Sequence, residues 1–230
     1  MKIFKFLTVI FLSGVIILNG CGTMNNATKG GIIGGAGGAA VGAGIGALAG
    51  SGKSAAIGAA IGGVVGAGAG VLIGNKMDKQ KAELEKIEGA KVETVTDANN
   101  LKAIKVTFDN GILFETGKSE LNSSSRSSLS KFVESLKNTP ETDITIYGHT
   151  DNTGTRELNE RLSIERATSV AGYLNVNGIA MKRITTEGKA YDAPVADNST
   201  PAGRAQNRRV EVFITANTDM IKQAEQGNLK

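Results

Sequence analysis

The chain has 230 residues, a formal charge of +4 and a pI near 9.1. Its basic residues are scattered among acidic ones and aromatic residues make up only 4%, which argues against nucleic-acid binding, since that function needs a basic stripe with stacking aromatics. One His and one Cys exclude an intramolecular disulfide and supply few ligands for a metal. We therefore expect no metal site, no cofactor and no nucleic-acid partner.

The first twenty residues have the organisation of a secretory signal. Lys2 and Lys5 precede an apolar run over residues 6–18, which is short for a membrane-spanning helix but typical of a signal peptide. The run ends in Leu18-Asn19-Gly20-Cys21, which resembles the lipobox of bacterial lipoproteins.

The lipobox resemblance implies three properties of the mature protein. Residues 1–20 would be removed as a signal peptide, Cys21 would carry the lipid, and residues 21–29 would form a lipidated linker. Gly22 stands where Asp would imply the inner membrane, so the resemblance favours the outer membrane, with the C-terminal domain in the periplasm. An ordinary signal peptide with an incidental cysteine, or an uncleaved anchor, remains the alternative.

Glycines recur every fourth residue between residues 30 and 75. They occupy positions 30, 34, 38, 42, 46 and 50, and then 58, 62, 66, 70 and 74. Residues four apart share one helix face, so each segment would offer a groove into which another helix can pack closely. The pattern resembles glycine-zipper membrane domains. It predicts a membrane-associated helical hairpin over residues 30–75, turning at residues 51–54, and a homo-oligomer formed through the glycine faces; a flexible Gly/Ala spacer is the alternative.

Residues 76–100 are polar and charged, which predicts a helical spacer that is exposed to solvent. Beyond residue 101 the alternating and helical patterns of a globular domain return, as far as residue 217. Residues 218–230 are left as a C-terminal tail.

The domain over residues 101–217 is predicted to be α+β. Strands are predicted around Ile104 and Phe108, around Ile144 and Ile146, and over residues 183–187 and 208–214. Helices are predicted over residues 123–138 and about 156–175. The order β-α-β-α-β-β predicts helices packed on one face of a mixed sheet.

The second helix of this domain carries a polar anomaly. Asn159 and Arg166 fall within about 60° of the apolar residues Leu162, Val170 and Tyr173 when the helix is drawn at 100° per residue. An arginine on an apolar face needs an anionic partner, because an unpaired charge in a low-dielectric surrounding is costly. A structural salt bridge, a side chain that reaches out to solvent and a ligand site all satisfy this pattern.

Three sequence motifs extend the interpretation of this domain. They are Gly148-His149-Thr150-Asp151-Asn152-Thr153-Gly154, Asn159-Glu160-Arg161-Leu162-Ser163 followed by Arg166-Ala167, and Gly203-Arg204-Ala205-Gln206-Asn207-Arg208-Arg209-Val210-Glu211. In this order they resemble the OmpA-like peptidoglycan-binding domain. The resemblance covers about half of the chain. It implies non-covalent binding of peptidoglycan through the free end of diaminopimelate in the stem peptide.

The same resemblance implies the residues of the site. Asp151 would hold the ammonium of diaminopimelate and Arg166 its carboxylate, two charge-assisted contacts of opposite polarity. Further members of the expected site are Thr150, Thr153, Asn159, Phe114, the backbone at Gly117, and Arg209. His149 has no partner identifiable by spacing, so a structural role is expected for it.

The expected function is a tether that links the outer membrane to peptidoglycan. A subunit of an envelope assembly, transport or motor complex with the same wall-binding domain is the alternative. An enzyme that cleaves the wall would need a catalytic carboxylate pair, a zinc set or a nucleophile with its base, and none stands out. We therefore expect that the protein is not an enzyme.

The glycine register yields a first prediction. Replacing Gly42 or Gly62 by Leu fills the smooth helix face and should reduce chemical crosslinking between copies in native membranes. Ala43→Leu, one position out of register, is the matched control and should crosslink like the parent. Monomers alone in the parent, with identical behaviour of the variants, would rule out association through these glycines.

Overall fold

The computed structural model describes residues 65–109, 113–115 and 117–230. Its elements in chain order are α1 (Ala67–Leu84), β1 (Ala90–Thr96), β2 (Lys102–Asp109), α2 (Ser123–Asn138), β3 (Thr142–Gly148), α3 (Arg156–Val176), a 3-10 turn (Met181–Arg183), β4 (Ile184–Gly188), α4 (Pro201–Asn207), β5 (Arg209–Ala216) and α5 (Thr218–Glu225). Residues 1–29, with the expected signal peptide and Cys21, and residues 30–64 of the expected hairpin lie outside the described residues, as do residues 110–112 and 116.

The strands form one mixed sheet in the order β1-β2-β5-β3-β4. β3 and β4 are parallel, as expected for strands joined through a helix, and the other neighbours are antiparallel. In the centre, Val106 of β2 pairs with Val212 of β5, which pairs with Ile146 of β3. These three residues lie directly opposite one another, so their side chains point to the same face of the sheet, and all three are buried.

The core lies between this face of the sheet and the helices. In α2 the apolar residues at helical spacing are buried, namely Leu129, Phe132, Val133 and Leu136. The Phe132 ring meets Phe108 of β2 edge to face, with centroids 5.6 Å apart. α3 contributes Val170 and Leu174 to the same core. The α+β fold with helices against a mixed sheet is therefore confirmed.

Helix α3 lies unusually close to the parallel pair β3–β4. A Cβ atom at Gly148 would lie 1.9 Å from the carbonyl oxygen of Ser163, and one at Gly188 would lie 2.5 Å from its Oγ. The absent side chains let the helix backbone rest directly on the strand ends. The Ser163 hydroxyl then accepts a hydrogen bond from the Ala190 amide at 3.1 Å, which ties the helix to the segment after β4.

Helix α1 and strand β1 differ from the expected spacer over residues 76–100. α1 buries an apolar stripe that includes Ile73, Met77 and Leu84, and it packs against α5, β2, α2 and β1. Two ion pairs fasten it further, Asp78 to Lys102 at 2.6 Å and Lys76 to Glu141 at 3.4 Å. The last three glycines of the register, at positions 66, 70 and 74, lie at the start of or within α1. Among the described residues no helix is both long and apolar enough to cross a membrane.

Strand β1 forms an edge of the sheet. It pairs with β2 along its whole length, from Ala90 opposite Phe108 to Thr96 opposite Lys102. Its Val and Thr residues favour a strand, but the charged residues Lys91 and Glu93 made the segment resemble the polar spacer around it. The charged residues lie on the outer side, where Glu93 pairs with Lys105 at 3.0 Å.

The segment left as a C-terminal tail also belongs to the fold. Asn217 caps α5 by accepting hydrogen bonds from the amides of Asp219 and Met220, both at 3.0 Å. Met220, Ile221 and Ala224 are buried on one side of this short helix. α5 thus supplies the surface on which α1 packs.

This packing predicts the effect of a core substitution in α1. Ile73 is fully buried, so Ile73→Ala should lower the free energy of unfolding by about 2–5 kcal/mol, as for other large-to-small core changes. Asn75→Ala, at an exposed position of the same helix, should change it by less than about 0.5 kcal/mol. Urea unfolding measures the free energy of unfolding of both variants and the parent. Equal values for Ile73→Ala and the parent would mean that α1 does not pack on the domain.

Candidate functional site

The loop that follows β3 carries the first of the expected motifs. Its backbone is fastened at two points, because the His149 amide donates to the Arg209 carbonyl at 2.9 Å and the Thr150 amide donates to the Ala190 carbonyl at 2.8 Å. β5 and the segment after β4 therefore hold the loop from both sides. Asp151 follows directly at the end of this fixed stretch.

The Asp151 carboxylate is buried and accepts hydrogen bonds at both oxygens. Oδ1 accepts from the Thr153 amide at 2.9 Å, and Oδ2 accepts from Nη1 of Arg208 at 2.7 Å. Burial alone would raise the pKa of Asp151, but the hydrogen bonds from Arg208 and Thr153 outweigh it and hold this pKa below its usual value. Asp151 is therefore an anion at neutral pH.

Arg166 lies on the face of α3 that is turned toward the sheet, and its side chain is only 1% exposed. Its Nε donates to the Lys118 carbonyl at 3.1 Å, and its guanidinium carbon lies 5.6 Å from the centre of the Phe114 ring. Nη1 is buried and finds no hydrogen-bond partner among the described residues. An unsatisfied donor on a buried cation is rare in native structures and is typical of functional sites.

The electrostatics of Arg166 reflect this unsatisfied state. Burial and the positive charge of Arg208 lower the pKa of its guanidinium, the charge of Asp151 opposes them, and the net value is about 10. The group stays charged at neutral pH, at a cost of about 3 kcal/mol relative to a guanidinium in water. A carboxylate bound at Nη1 would offset this cost. Asp151 and Arg166 thus lie in one electrostatic neighbourhood, although Asp151 is paired with Arg208.

Phe114 and Gly117 lie beside Arg166. Phe114 is buried, bridges to Leu121, and stacks near the guanidinium. Gly117 adopts a φ of +74°, a conformation that favours glycine, and is exposed one residue before the carbonyl that Arg166 contacts. The segment around these two residues forms one wall of the site.

The polar residues around Asp151 divide into two groups. Asn159 is buried and its Nδ2 donates to the carbonyls of Thr153 and Thr155, at 2.9 and 3.1 Å, so it clasps the loop to the start of α3. Thr153 contributes its amide to Asp151. The hydroxyl of Thr150 is buried and without a partner among the described residues, which leaves it available to a ligand.

Arg209 lies apart from this cluster. Its guanidinium donates to Glu211 at 2.8 Å and to the carbonyls of Asn207 and Ala193, on the side of β5 that faces away from the helices. Its neighbour Arg208, which the sequence motif did not single out, contacts Asp151 instead. Consecutive residues of an extended chain point to opposite sides, so only one of the two arginines can face Asp151. The two consecutive arginines Arg208 and Arg209 are the sequence signal that either of them could be the one that contacts Asp151.

His149 is buried on the same outer face of the sheet. Its Nε2 lies 3.6 Å from Oε2 of Glu211, which is too long for a good hydrogen bond. Burial lowers the pKa of His149 and the charges of Arg209 and Lys189 act in the same direction, while Glu211 opposes them. Burial alone would raise the pKa of Glu211, but His149 and Arg209 bring it down to about 2. His149 is therefore neutral at pH 7 and supports the loop from behind.

The arrangement can hold a small zwitterion without covalent chemistry. It offers an anion, a buried cation with a free donor, and an unpaired hydroxyl within one loop-and-helix corner. In the part of the chain that the structure describes, no group of three His, Cys, Asp or Glu side chains could hold a metal ion.

The buried histidine gives a pH-dependent prediction. The unfolded chain takes up a proton at His149 near pH 6.5, whereas the folded chain resists it, so the free energy of unfolding falls as the pH drops below 6.5. Between pH 7.5 and 5.5 this residue should remove up to about 1.4 kcal/mol. His149→Gln leaves the carboxylates in place and should flatten this part of the slope. Urea unfolding at both pH values measures it, and equal slopes in parent and variant would contradict the assignment.

Comparison with known proteins agrees with this description. Residues 113–208 match the OmpA family, and residues 1–78 match the YMGG-like Gly-zipper. The Escherichia coli (strain K12) protein named Probable lipoprotein YiaD is 38% identical over 222 residues, which are 94% of this chain and 99% of that protein. The Peptidoglycan-binding protein ArfA of Mycobacterium tuberculosis is 45% identical over 86 residues, 37% of this chain and 26% of ArfA.

Among solved structures, the cell wall anchor of the T6SS from Pseudomonas aeruginosa is similar with a TM-score of 0.52 and 28% identity. The match covers 61% of this chain and 97% of that structure. Together with the similarity to YiaD over nearly the full length of both proteins, these findings show that the chain belongs to the OmpA family and combines an OmpA-like domain with a YMGG-like glycine zipper.

Proposed function

We propose that this protein is an outer-membrane lipoprotein that binds peptidoglycan non-covalently and tethers the membrane to the wall. The ligand of the site is the free end of diaminopimelate in the stem peptide. The observation that carries the proposal is the buried guanidinium of Arg166, whose Nη1 has no partner among the described residues although Asp151 lies in the same corner.

The chemistry of the ligand matches this corner. The free end of diaminopimelate is a zwitterion, so its carboxylate satisfies Nη1 of Arg166 and its ammonium binds Asp151. The hydroxyl of Thr150, buried and unpaired, is the third group available to it. Phe114 and the backbone at Gly117 close one side, and Thr153 and Asn159 fix the loop that presents Asp151. Arg209 does not contact this ligand; on the other face of the sheet it bonds Glu211 and backbone carbonyls and so supports the site indirectly.

The relatives support binding of this ligand class. ArfA is named a peptidoglycan-binding protein, and the similar solved structure is that of a cell wall anchor. The match to the OmpA family begins at residue 113 and ends at residue 208, so it includes both Asp151 and Arg166. The match to YiaD extends the relationship to a protein named as a lipoprotein.

The membrane end of the tether is proposed from the sequence. Residues 1–20 are the signal peptide, Cys21 carries the lipid, and residues 21–29 lead into the glycine-zipper segment. Copies associate through the glycine faces. The wall-binding unit, in the periplasm, begins near residue 65 and includes α1, β1 and α5.

A second function, a wall-anchored subunit of a larger envelope assembly, is favoured by the likeness to the T6SS anchor. The two functions differ in the role of the glycine register. For an assembly subunit, substitutions such as Gly42→Leu should abolish a complex with other proteins and leave wall binding intact. For a tether, pull-downs from crosslinked membranes should recover the same other proteins with these variants as with the parent.

The wall-binding proposal is tested by sedimentation of the detergent-solubilised full chain with purified peptidoglycan. Asp151→Ala and Arg166→Ala each remove one half of the zwitterion's contacts and should weaken binding by about 2 kcal/mol or more, mostly through faster release. Arg161→Ala is the control, since its side chain is on the same helix but exposed, and it pairs with Glu165 at 3.6 Å.

Three outcomes would overturn the proposal. Full binding by both site variants would remove Asp151 and Arg166 from the site. Equal binding to walls with free and with amidated diaminopimelate would show that Arg166 does not hold the carboxylate, because amidation removes that charge. Soluble muropeptides released during the incubation would indicate an enzyme instead.

A further inference from the structure

The carboxylate that is proposed to receive the ligand's ammonium already has a cationic partner within the chain. Oδ2 of Asp151 accepts from Nη1 of Arg208 at 2.7 Å, and Oδ1 is held by the Thr153 amide. A contact of this length between two ionised groups is a charge-assisted hydrogen bond. Any ammonium that approaches Asp151 therefore meets a guanidinium beside it.

Arg208 is the member of the cluster that can leave. Its side chain is 33% exposed, whereas that of Asp151 is 10% exposed. Its backbone is fixed on both sides, because Asn207 is buried and bonded to the segment 195–198 and Arg209 is buried against Glu211. Arg208 can thus turn its side chain into water without any movement of the chain, and such rotations take nanoseconds or less.

The charge balance favours such an exchange. The site contains two guanidiniums and one carboxylate, and the positive charge of Arg208 already disfavours the charge on Arg166. The ligand's carboxylate would pair with Arg166, so an ammonium added while Arg208 stayed in place would have to share Asp151 with a second cation. When Arg208 moves out to solvent, the ammonium takes over its hydrogen bond and the repulsion between the two arginines falls.

We propose that Arg208 is an internal counter-ion of the wall site, which neutralises Asp151 in the unliganded protein and is displaced by the ammonium of the ligand. This rests on the proposed function, since it concerns the same site. The pair lowers the apparent affinity, because a fraction of the molecules must first open. It also makes the site selective, since a ligand without an ammonium has nothing to exchange for Arg208.

Isothermal titration of the full chain in detergent with a purified stem tripeptide that contains meso-diaminopimelate tests the proposal. If Arg208 holds Asp151 in about nine-tenths of unliganded molecules, Arg208→Gln should bind the tripeptide about ten-fold more tightly. Arg208→Lys keeps a cation and should stay near the parent. Arg204→Gln is the matched control, since Arg204 lies four residues before Arg208, in α4, and donates to the carbonyls of Asn198 and Ser199.

A second titration uses a tripeptide analogue with hydrogen in place of the free amino group. Its carboxylate can still reach Arg166, but it carries no ammonium, so Arg208→Gln should bring no gain in affinity for it. A gain of equal size for both peptides would contradict an exchange of cations. Arg208→Met, which keeps the length of the side chain, repeats both titrations if thermal unfolding shows that the Gln variant is impaired.

Failure of this inference is distinguishable from failure of the proposed function. If Asp151→Asn binds the tripeptide as tightly as the parent, the site itself is wrong. If Asp151→Asn loses binding and Arg208→Gln binds no tighter than the parent, the site stands and Arg208 is a supporting residue that orients Asp151. Tighter binding by Arg208→Gln, confined to the peptide with the free amino group, supports the internal counter-ion.

Discussion

The close approach of α3 to the ends of β3 and β4 is the constraint on which the candidate site depends. Gly148 and Gly188 leave no side chain between the strands and Ser163, and the gap is too small for even one carbon atom at either position. Ser163 is one turn after Asn159 and three residues before Arg166, so its position fixes both. With the helix seated there, Asn159 reaches the carbonyls of the loop that presents Asp151, and Arg166 enters the corner beneath Phe114. A methyl group at either glycine would push α3 outward and separate the two charges that the proposed ligand must bridge, without altering a charged residue.

Much of this geometry follows from patterns that act over a few residues. Alternation in β2 and β3 and the apolar stripe of α2 depend only on neighbours in sequence, which is why the places of these elements and the bounds of α2 were predictable. The same periodicity identified Arg166 as a charge on a core-facing side of α3, and the structure gives it the burial that this position implies. Local periodicity could not predict whether Arg208 or Arg209 contacts Asp151. It depends on where α4 ends and β5 begins, and a shift of one residue exchanges which arginine faces Asp151 and which faces Glu211.

The region before β2 illustrates the opposite case. The residues that α1 buries include Ile73, Met77, Gln80 and Leu84, at helical spacing, but lysines and acids surround them and the stripe is narrow. Its partner α5 lies about 140 residues later in the chain, and such a long-range contact leaves no trace in a local pattern. Polar composition was therefore interpreted as a spacer exposed to solvent. In the folded chain some of these charged residues hold α1 on the domain, since Asp78 forms an ion pair with β2 and Lys76 forms one with the segment before β3.

This difference changes the mechanical character of the proposed tether. A spacer of 25 residues would let the wall-binding domain move freely over tens of ångströms, whereas α1 continues from the last glycines of the register directly into the core. A load on the wall ligand then passes from Arg166 and Asp151 into α3 and β3, across β5 to β2, and through the packed face of α1 toward the membrane segment. Among the described residues, the steps of this path from α3 to α1 are ladders of backbone hydrogen bonds or buried interfaces. The proposed ligand contact differs from these steps, because it consists of a few charge-assisted hydrogen bonds at which Arg208 competes for Asp151. We therefore expect that in the proposed tether the contact with the wall opens before the domain unfolds.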